Sequence, residues 1–326
     1  MPPTAPRRAP AGPRGGSATL ARPFFPWPAM HRNLPALAIL ACALALPACQ
    51  HGGARPAPVA TTVDTPAAAA DDNLNAVVWM QTAVEYRASA LQTYRAAIGQ
   101  LDAALADPQW DALVPGERAN PATGLKPAVI LDIDETVLDN SPYQVRLVRH
   151  GLQYDPASWA DWVAEQQAKP VPGVLEFARA AGARGITMIY LSNRTEDQKA
   201  ASIANLRAVG LPVADDSVYL GKGLQVAGCD QAQSGDKHCR RQLVGRTYRV
   251  LMQFGDQLGD FAQPHPNSPA ARQALLDRYG GWFGERWWML SNPSYGDWQP
   301  ALFGNDWSLS PSAQRKAKLK ALDAAD

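Results

Sequence analysis

From Leu74 to about Ala106, in NLNAVVWMQTAVEYRASALQTYRAAIGQLDAALA, apolar positions recur at three- and four-residue steps, and Asp107-Pro108 ends the run. That spacing predicts one long amphipathic helix. A turn-rich patch with Pro115, Gly116, Pro121 and Gly124 follows, and the period then changes. Continuous apolar runs of strand length appear as AVILDID (128–134), ITMIYLSN (186–193), SVYLG (217–221), YRVLMQFGD (248–256) and WWMLSNP (287–293). Helical patterns lie between them, notably over 174–184 and 196–209. Strands that are apolar without alternation are covered on both faces, so the pattern predicts an α/β domain around a parallel sheet. Residues 140–169 interrupt the alternation directly after the first strand. They are expected to form a small, mainly helical cap over the carboxyl edge of the sheet, with 74–106 as its second element.

The first 73 residues follow no such pattern. Eight of the 28 prolines fall in residues 1–29 together with four arginines and no acid, a composition that cannot bury a core. His31-Arg32, an apolar run from Leu34 to Ala48 and then Cys49 have the order of a secretory signal. The run is too short, and too broken by Pro35 and Pro47, for the roughly 20 residues of a membrane-spanning helix. Leu46-Pro47-Ala48-Cys49 resembles a bacterial lipobox, whose cysteine is acylated; Leu40-Ala41-Cys42 is the alternative but leaves less apolar run. The expected organisation is an extension over 1–29 ahead of a start at Met30, a lipoprotein signal peptide over 30–48, an Ala/Pro/Thr-rich tether over 49–73, and a globular domain over 74–326. No Asp follows Cys49, which favours an outer-membrane anchor facing the periplasm or the surface. The whole chain carries a formal charge of +1, but residues 1–48 hold five arginines and no acid. From Cys49 onward 26 bases face 30 acids, a formal charge of −4 that argues against a nucleic-acid polymer as partner.

In a parallel sheet, ligands bind outside the carboxyl ends of the strands. Asp132 and Asp134 end the first predicted strand, Ser192-Asn193-Arg194 the second, and Asp256 with Asp260 the fourth. Four carboxylates on one edge repel one another unless some take up protons or a cation intervenes. A hard, oxygen-binding ion such as Mg²⁺ meets that need. Taken singly, an Asp after a strand is as readily a turn or cap residue.

ILDIDETVLDNSPYQ resembles the first motif of the haloacid-dehalogenase (HAD) phosphohydrolases, in the version used by class C acid phosphatases, bacterial outer-membrane lipoproteins with 5′-nucleotidase activity. SWADWVAEQQAKPVPGVLEF, IYLSNR, SGDKHCRR, FGDQLGDF and SNPSYGDW follow in that family's order, so the likeness runs from about Leu74 to Trp307. The resemblance implies a three-layer, Rossmann-like HAD fold and a Mg²⁺-dependent phosphomonoesterase acting on nucleoside 5′-monophosphates or nicotinamide mononucleotide. It implies Asp132 as the nucleophile that forms an aspartyl-phosphate, and Asp134 as the acid and then base of the two steps. Ser192, Asn193 and Lys237 are expected on the phosphate. Mg²⁺ is expected on the Asp132 carboxylate, the Asp134 main-chain carbonyl and Asp256, with Asp260 orienting a metal-bound water or Lys237 from behind. Trp159 and Tyr295 stand where the family sandwiches a base between aromatic rings.

Lys222, also just past a strand, competes with Lys237; Ser-x-x-Lys followed by Arg240 and Arg241 favours Lys237. With Cys42 removed and Cys49 lipidated, Cys229 and Cys239 remain, in a compartment that permits disulfides. A bond between them would close the loop carrying Lys237, against the alternatives of free thiols or a zinc site with His238. Two rival functions stay open: phosphotransfer to another alcohol through the same intermediate, and a non-catalytic surface lipoprotein. Retention of both Asp132 and Asp134 argues against the second.

Overall fold

The computed structural model describes residues 72–229 and 235–325; the expected extension, signal peptide, Cys49 and nearly all of the tether lie outside them. Five strands form one parallel sheet: β1 (Lys126–Leu131), β4 (Thr187–Thr195), β5 (Tyr219–Lys222), β6 (Tyr248–Gly255) and β7 (Trp287–Met289), in the order β5-β4-β1-β6-β7. Each coincides with one of the continuous apolar runs. Ala128, Val129 and Leu131 of β1 and Val250, Leu251 and Met252 of β6 are fully buried, as central parallel strands require.

The chain leaves β1 for β4 and β5 on one side and returns for β6 and β7 on the other. The switch point therefore lies at the carboxyl end of β1, between β4 and β6, where such sheets open a crevice. Right-handed connections put α5 (Val174–Gly182) and α6 (Lys199–Ala208) on one face and α7 (His238–Thr247) on the other. Three layers follow from that handedness.

The stretch 74–106 is not one helix. It divides into α1 (Leu74–Thr82) and α2 (Val84–Ala106) at Ala83, whose backbone is extended (φ −73°, ψ 129°). Neither Pro nor Gly marks the break. Thr82 Oγ1 donates back to the Val78 carbonyl at 2.7 Å, closing the last turn of α1. The division lets each half bury its stripe against a different partner, α1 on α3 (Ser141–His150) and α2 on α5. Ala90, Tyr94, Ala97, Leu101 and Ala104 form the buried stripe of α2, with Tyr94 against Phe177 and Phe254 at ring distances of 5.8 and 5.3 Å. This longer half thus belongs to the helical layer over the sheet and not to a cap. Gly173, at φ +95°, starts α5 there; a Cβ would stand 3.0 Å from that of Tyr94.

The interruption over 140–169 becomes α3 and α4 (Pro156–Glu165), enclosed by two short antiparallel strands, β2 (Leu138–Asp139) and β3 (Lys169–Pro170). Their pairing, Leu138 with Pro170 and Asp139 with Lys169, ties both ends of the insertion beside the carboxyl end of β1. Asp155 caps α4 by accepting from Ser158 N at 2.9 Å, with Pro156 in the first turn. Two further helices, α8 (Pro269–Tyr279) and α9 (Pro311–Lys320), complete the α-helices of the described residues.

Candidate active site

Asp132 is the first residue beyond β1. Its N–H donates to the Phe254 carbonyl of β6 at 3.0 Å, so the sheet itself fixes its place at the switch point. Asp256 follows β6 directly, and Asp260 returns to the same spot through a 3₁₀ turn at Leu258–Asp260. Only glycine fits at 255, because a Cβ there would collide with the Asp260 side chain. Carboxylate oxygens of Asp132, Asp256 and Asp260 lie within 4.8 Å of one another.

The ammonium of Lys237, itself buried, donates to Asp132 Oδ1 and, at 2.7 Å, to Asp260 Oδ1. Burial pushes the Asp132 carboxyl well above its ordinary range; Lys237 opposes the rise, and Asp260, Asp256 and Asp134 add to it. Asp256 is pushed up to about 7, first by burial and then by Asp260, against hydrogen bonds from Gln257 (2.7 Å) and Asn292 (2.8 Å). Burial works against the Lys237 charge, yet Asp132 and Asp260 outweigh it and hold the ammonium above its usual value. Three carboxyls thus crowd one ammonium, and two of them are pushed toward the protonated form. An all-oxygen set this close suits a hard divalent cation.

Asp134 stands apart from that trio. Arg194, at the end of β4, donates from Nη2 to its Oδ1 at 2.8 Å, and Asn140 Nδ2 donates to the same oxygen at 2.8 Å. Ser192 Oγ reaches its Oδ2 at 3.4 Å and accepts from Arg194 N at 3.0 Å. Ser192 thus lies beside Asp134 at the end of β4. Asn193 differs from expectation: its amide donates to the Gly235 carbonyl at 2.9 Å and accepts from Arg240 at 2.7 Å, so both ends are engaged in holding the Lys237 loop.

That loop is braced from several directions. A Cys229–Cys239 disulfide spans it, with Cα atoms 5.8 Å apart, which removes both thiolates from any zinc site. Arg240 donates to the Ser192 carbonyl. Arg241, fully buried, grips Glu117 with two nitrogens at 2.6 and 2.7 Å and donates to the Gly259 carbonyl at 2.7 Å, joining α7 to the Asp260 turn. Lys237 is thus the cation on Asp132, whereas Lys222 ends the edge strand beside Thr195.

Of the two expected stacking rings, Trp159 on α4 is half-buried, edge-on to Tyr143 at 5.1 Å, with the Arg194 guanidinium 5.5 Å from its centre. Trp162, one turn on, is buried and donates from Nε1 to Asn140 Oδ1 at 2.8 Å. The Tyr295 hydroxyl donates to Glu135, a fully buried residue at φ +59° whose other oxygen accepts from Asn140 N at 2.9 Å.

A family model described as the HAD superfamily, subfamily IIIB (acid phosphatase), matches residues 52–298. The chain belongs to this acid phosphatase family. Its fold is similar to the class C acid phosphatase of Bacillus anthracis solved with tungstate bound: 35% identity, TM-score 0.67, covering 78% of this chain and 98% of that one. Among curated relatives it resembles the stem 28 kDa glycoprotein of Glycine max (28% identical, 43% of this chain and 54% of the relative) and vegetative storage protein 1 of Arabidopsis thaliana (25%, 42% and 50%). The chain thus spans about half the length of the curated relatives it matches. Membership of this family and the likeness to the Bacillus structure show the HAD fold.

Arg194, Asn140, Asn292 and Glu117 are the site residues to which the acid phosphatase motifs gave no role. Arg194 and Asn140 do lie inside IYLSNR and LDNSPYQ. Polarity next to the strand ends was the available signal, but their partners come from distant parts of the chain.

Proposed function

We propose that the protein is a Mg²⁺-dependent acid phosphatase and 5′-nucleotidase that cleaves small phosphomonoesters through an aspartyl-phosphate on Asp132. The observation that carries this reading is the placement of a single carboxylate, at the switch point of the sheet, against a buried ammonium and two further carboxylates. Asp132 and Asp256, with the main-chain carbonyl of Asp134, would hold the ion, and Asp260 orients Lys237 beside it. Bound there, Mg²⁺ supplies positive charge to the phosphoryl oxygens and lets the carboxylates stay ionised. Lys237 neutralises charge on the transferring group, and the Ser192 hydroxyl donates to it. Tungstate, bound in the Bacillus relative, is a tetrahedral oxyanion like phosphate, which supports a phosphate-like anion as the ligand here.

Hydrolysis of 5′-AMP and nicotinamide mononucleotide is expected with Mg²⁺, and EDTA should abolish it until Mg²⁺ is restored. Full activity in EDTA would refute the dependence. Trp159→Ala should lower kcat/KM for nucleotides about tenfold more than for glycerol phosphate, as loss of one base stack of about 1–3 kcal/mol requires. Equal losses would refute the stacking role.

The anchor is part of the same proposal: a lipid on Cys49 holding the enzyme at the outer membrane, facing the periplasm or the surface. The Cys229–Cys239 bond supports an oxidising compartment. Among the described residues no helix is long and apolar enough to cross a membrane.

A further inference from the structure

The Asp134 carboxylate is held unequally. Oδ1 receives three donors, Arg194 Nε at 3.0 Å, Arg194 Nη2 at 2.8 Å and Asn140 Nδ2 at 2.8 Å. Oδ2 receives only long contacts, 3.3 Å from Arg194 Nε and 3.4 Å from Ser192 Oγ. The guanidinium that does this is almost fully buried and has its own place fixed: Nη1 donates to Ser202 Oγ at 3.2 Å and Nη2 to Asn140 Oδ1 at 3.3 Å. Helix α4 then sits on the pair, Trp159 over the guanidinium and Trp162 Nε1 on Asn140 Oδ1.

We infer that Arg194, seconded by Asn140, is the positioning residue of the leaving-group proton transfer: it saturates Asp134 Oδ1, leaves Oδ2 as the oxygen that carries the proton, and couples that carboxylate to the seating of α4. The inference rests on the reading of Asp134 as general acid. In the first step the Asp132–phosphorus bond forms, the ester P–O bond breaks, and the proton on Asp134 Oδ2 passes to the departing oxygen. In the second, water adds to phosphorus and gives a proton back to Oδ2 while the Asp132–phosphorus bond breaks. An oxygen already accepting three hydrogen bonds has no lone pair free for either transfer, whereas Oδ2 has. A planar fork sets the carboxylate's rotation as a point charge cannot, so lysine is not an equivalent.

The test is the dependence of kcat/KM on leaving group. Phosphate esters from p-nitrophenyl through phenyl to alkyl are to be compared in the wild type, Asp134→Asn, Arg194→Lys and Arg194→Met, with circular-dichroism melts. Because p-nitrophenolate leaves without a proton, Asp134→Asn should spare that ester and lower the alkyl one by about 10²–10⁴-fold. Arg194→Lys should lower the alkyl-to-p-nitrophenyl ratio by at least roughly tenfold, and Arg194→Met by more. With p-nitrophenyl phosphate, kcat in the Lys variant should fall while a burst of nitrophenolate appears, since the second step also uses Oδ2. Should Met at 194 prevent folding, the Lys variant alone decides. A steepened series for Asp134→Asn with an unchanged ratio for Arg194→Lys overturns the positioning role. A flat series for Asp134→Asn overturns the reading of Asp134, and this inference with it.

Discussion

The Asp132→Asn variant is expected to lose at least about 10⁴-fold in kcat for every phosphomonoester, good leaving groups included, while its melting temperature stays level or rises. The two halves have separate causes. An amide oxygen cannot form the phosphoenzyme, and a nucleophile's absence is felt equally by p-nitrophenyl and alkyl esters, unlike the loss of a proton donor. Stability goes the other way because burial is the largest influence on this carboxyl and acts against its ionised form, with Asp260, Asp256 and Asp134 adding repulsion. Asn has the same shape, keeps an oxygen for Lys237 and removes one member of a crowded anionic trio. Turnover of both ester types, thermal melts and mass spectrometry for a covalent phosphate after acid quench check it. A folded variant with more than a hundredth of wild-type activity would exclude Asp132 as the nucleophile.

What could be read along the chain was whatever depends on local period. The five strands announced themselves because each is buried on both faces, and their carboxyl-terminal Asp and Ser residues followed from that. Strand order was not readable, because the step that puts β6 on the far side of β1 from β4 is a property of pairing and not of pattern. The break at Ala83 escaped for a related reason: α1 and α2 keep one continuous apolar period, and only their separate partners, α3 and α5, require the bend. Among site residues, those proposed to act on substrate lie in motifs, as do Arg194 and Asn140 that hold Asp134, whereas Glu117 and Asn292 lie apart from the groups they hold. Glu117 is separated by 124 positions from the Arg241 it grips, and Asn292 by 36 from Asp256. Asn193 shows the converse, since a polar residue expected on the phosphate has its side chain engaged in securing the neighbouring loop.

Lys237→Met should be the most destabilising single change at the site, by roughly 3–5 kcal/mol, as expected when one partner of a buried ion pair is removed. In a domain of this size that is a fall of roughly 10 °C in melting temperature. Lys237 joins two buried carboxylates, so its removal leaves Asp132 and Asp260 facing each other with Asp256 nearby and no ammonium among them. The deficit has a signature that a packing defect lacks. Lys237 is what restrains the rise of the Asp132 carboxyl, so in its absence that group, already well above its ordinary range, rises further. A carboxyl whose folded value is raised keeps its stability at low pH and loses it as pH rises through that value, so the deficit should shrink in acid and grow toward neutrality. Millimolar Mg²⁺ should also narrow it, by binding the folded state alone, and more in the variant than in the wild type. Activity should fall by at least about 10²-fold even with Mg²⁺ saturating, since the charge beside the transferring phosphoryl group is gone. Melts across pH, with Mg²⁺ and with EDTA, separate the outcomes. A deficit that ignores both pH and metal would mean that Lys237 serves packing, and that the carboxylates are balanced by some other cation.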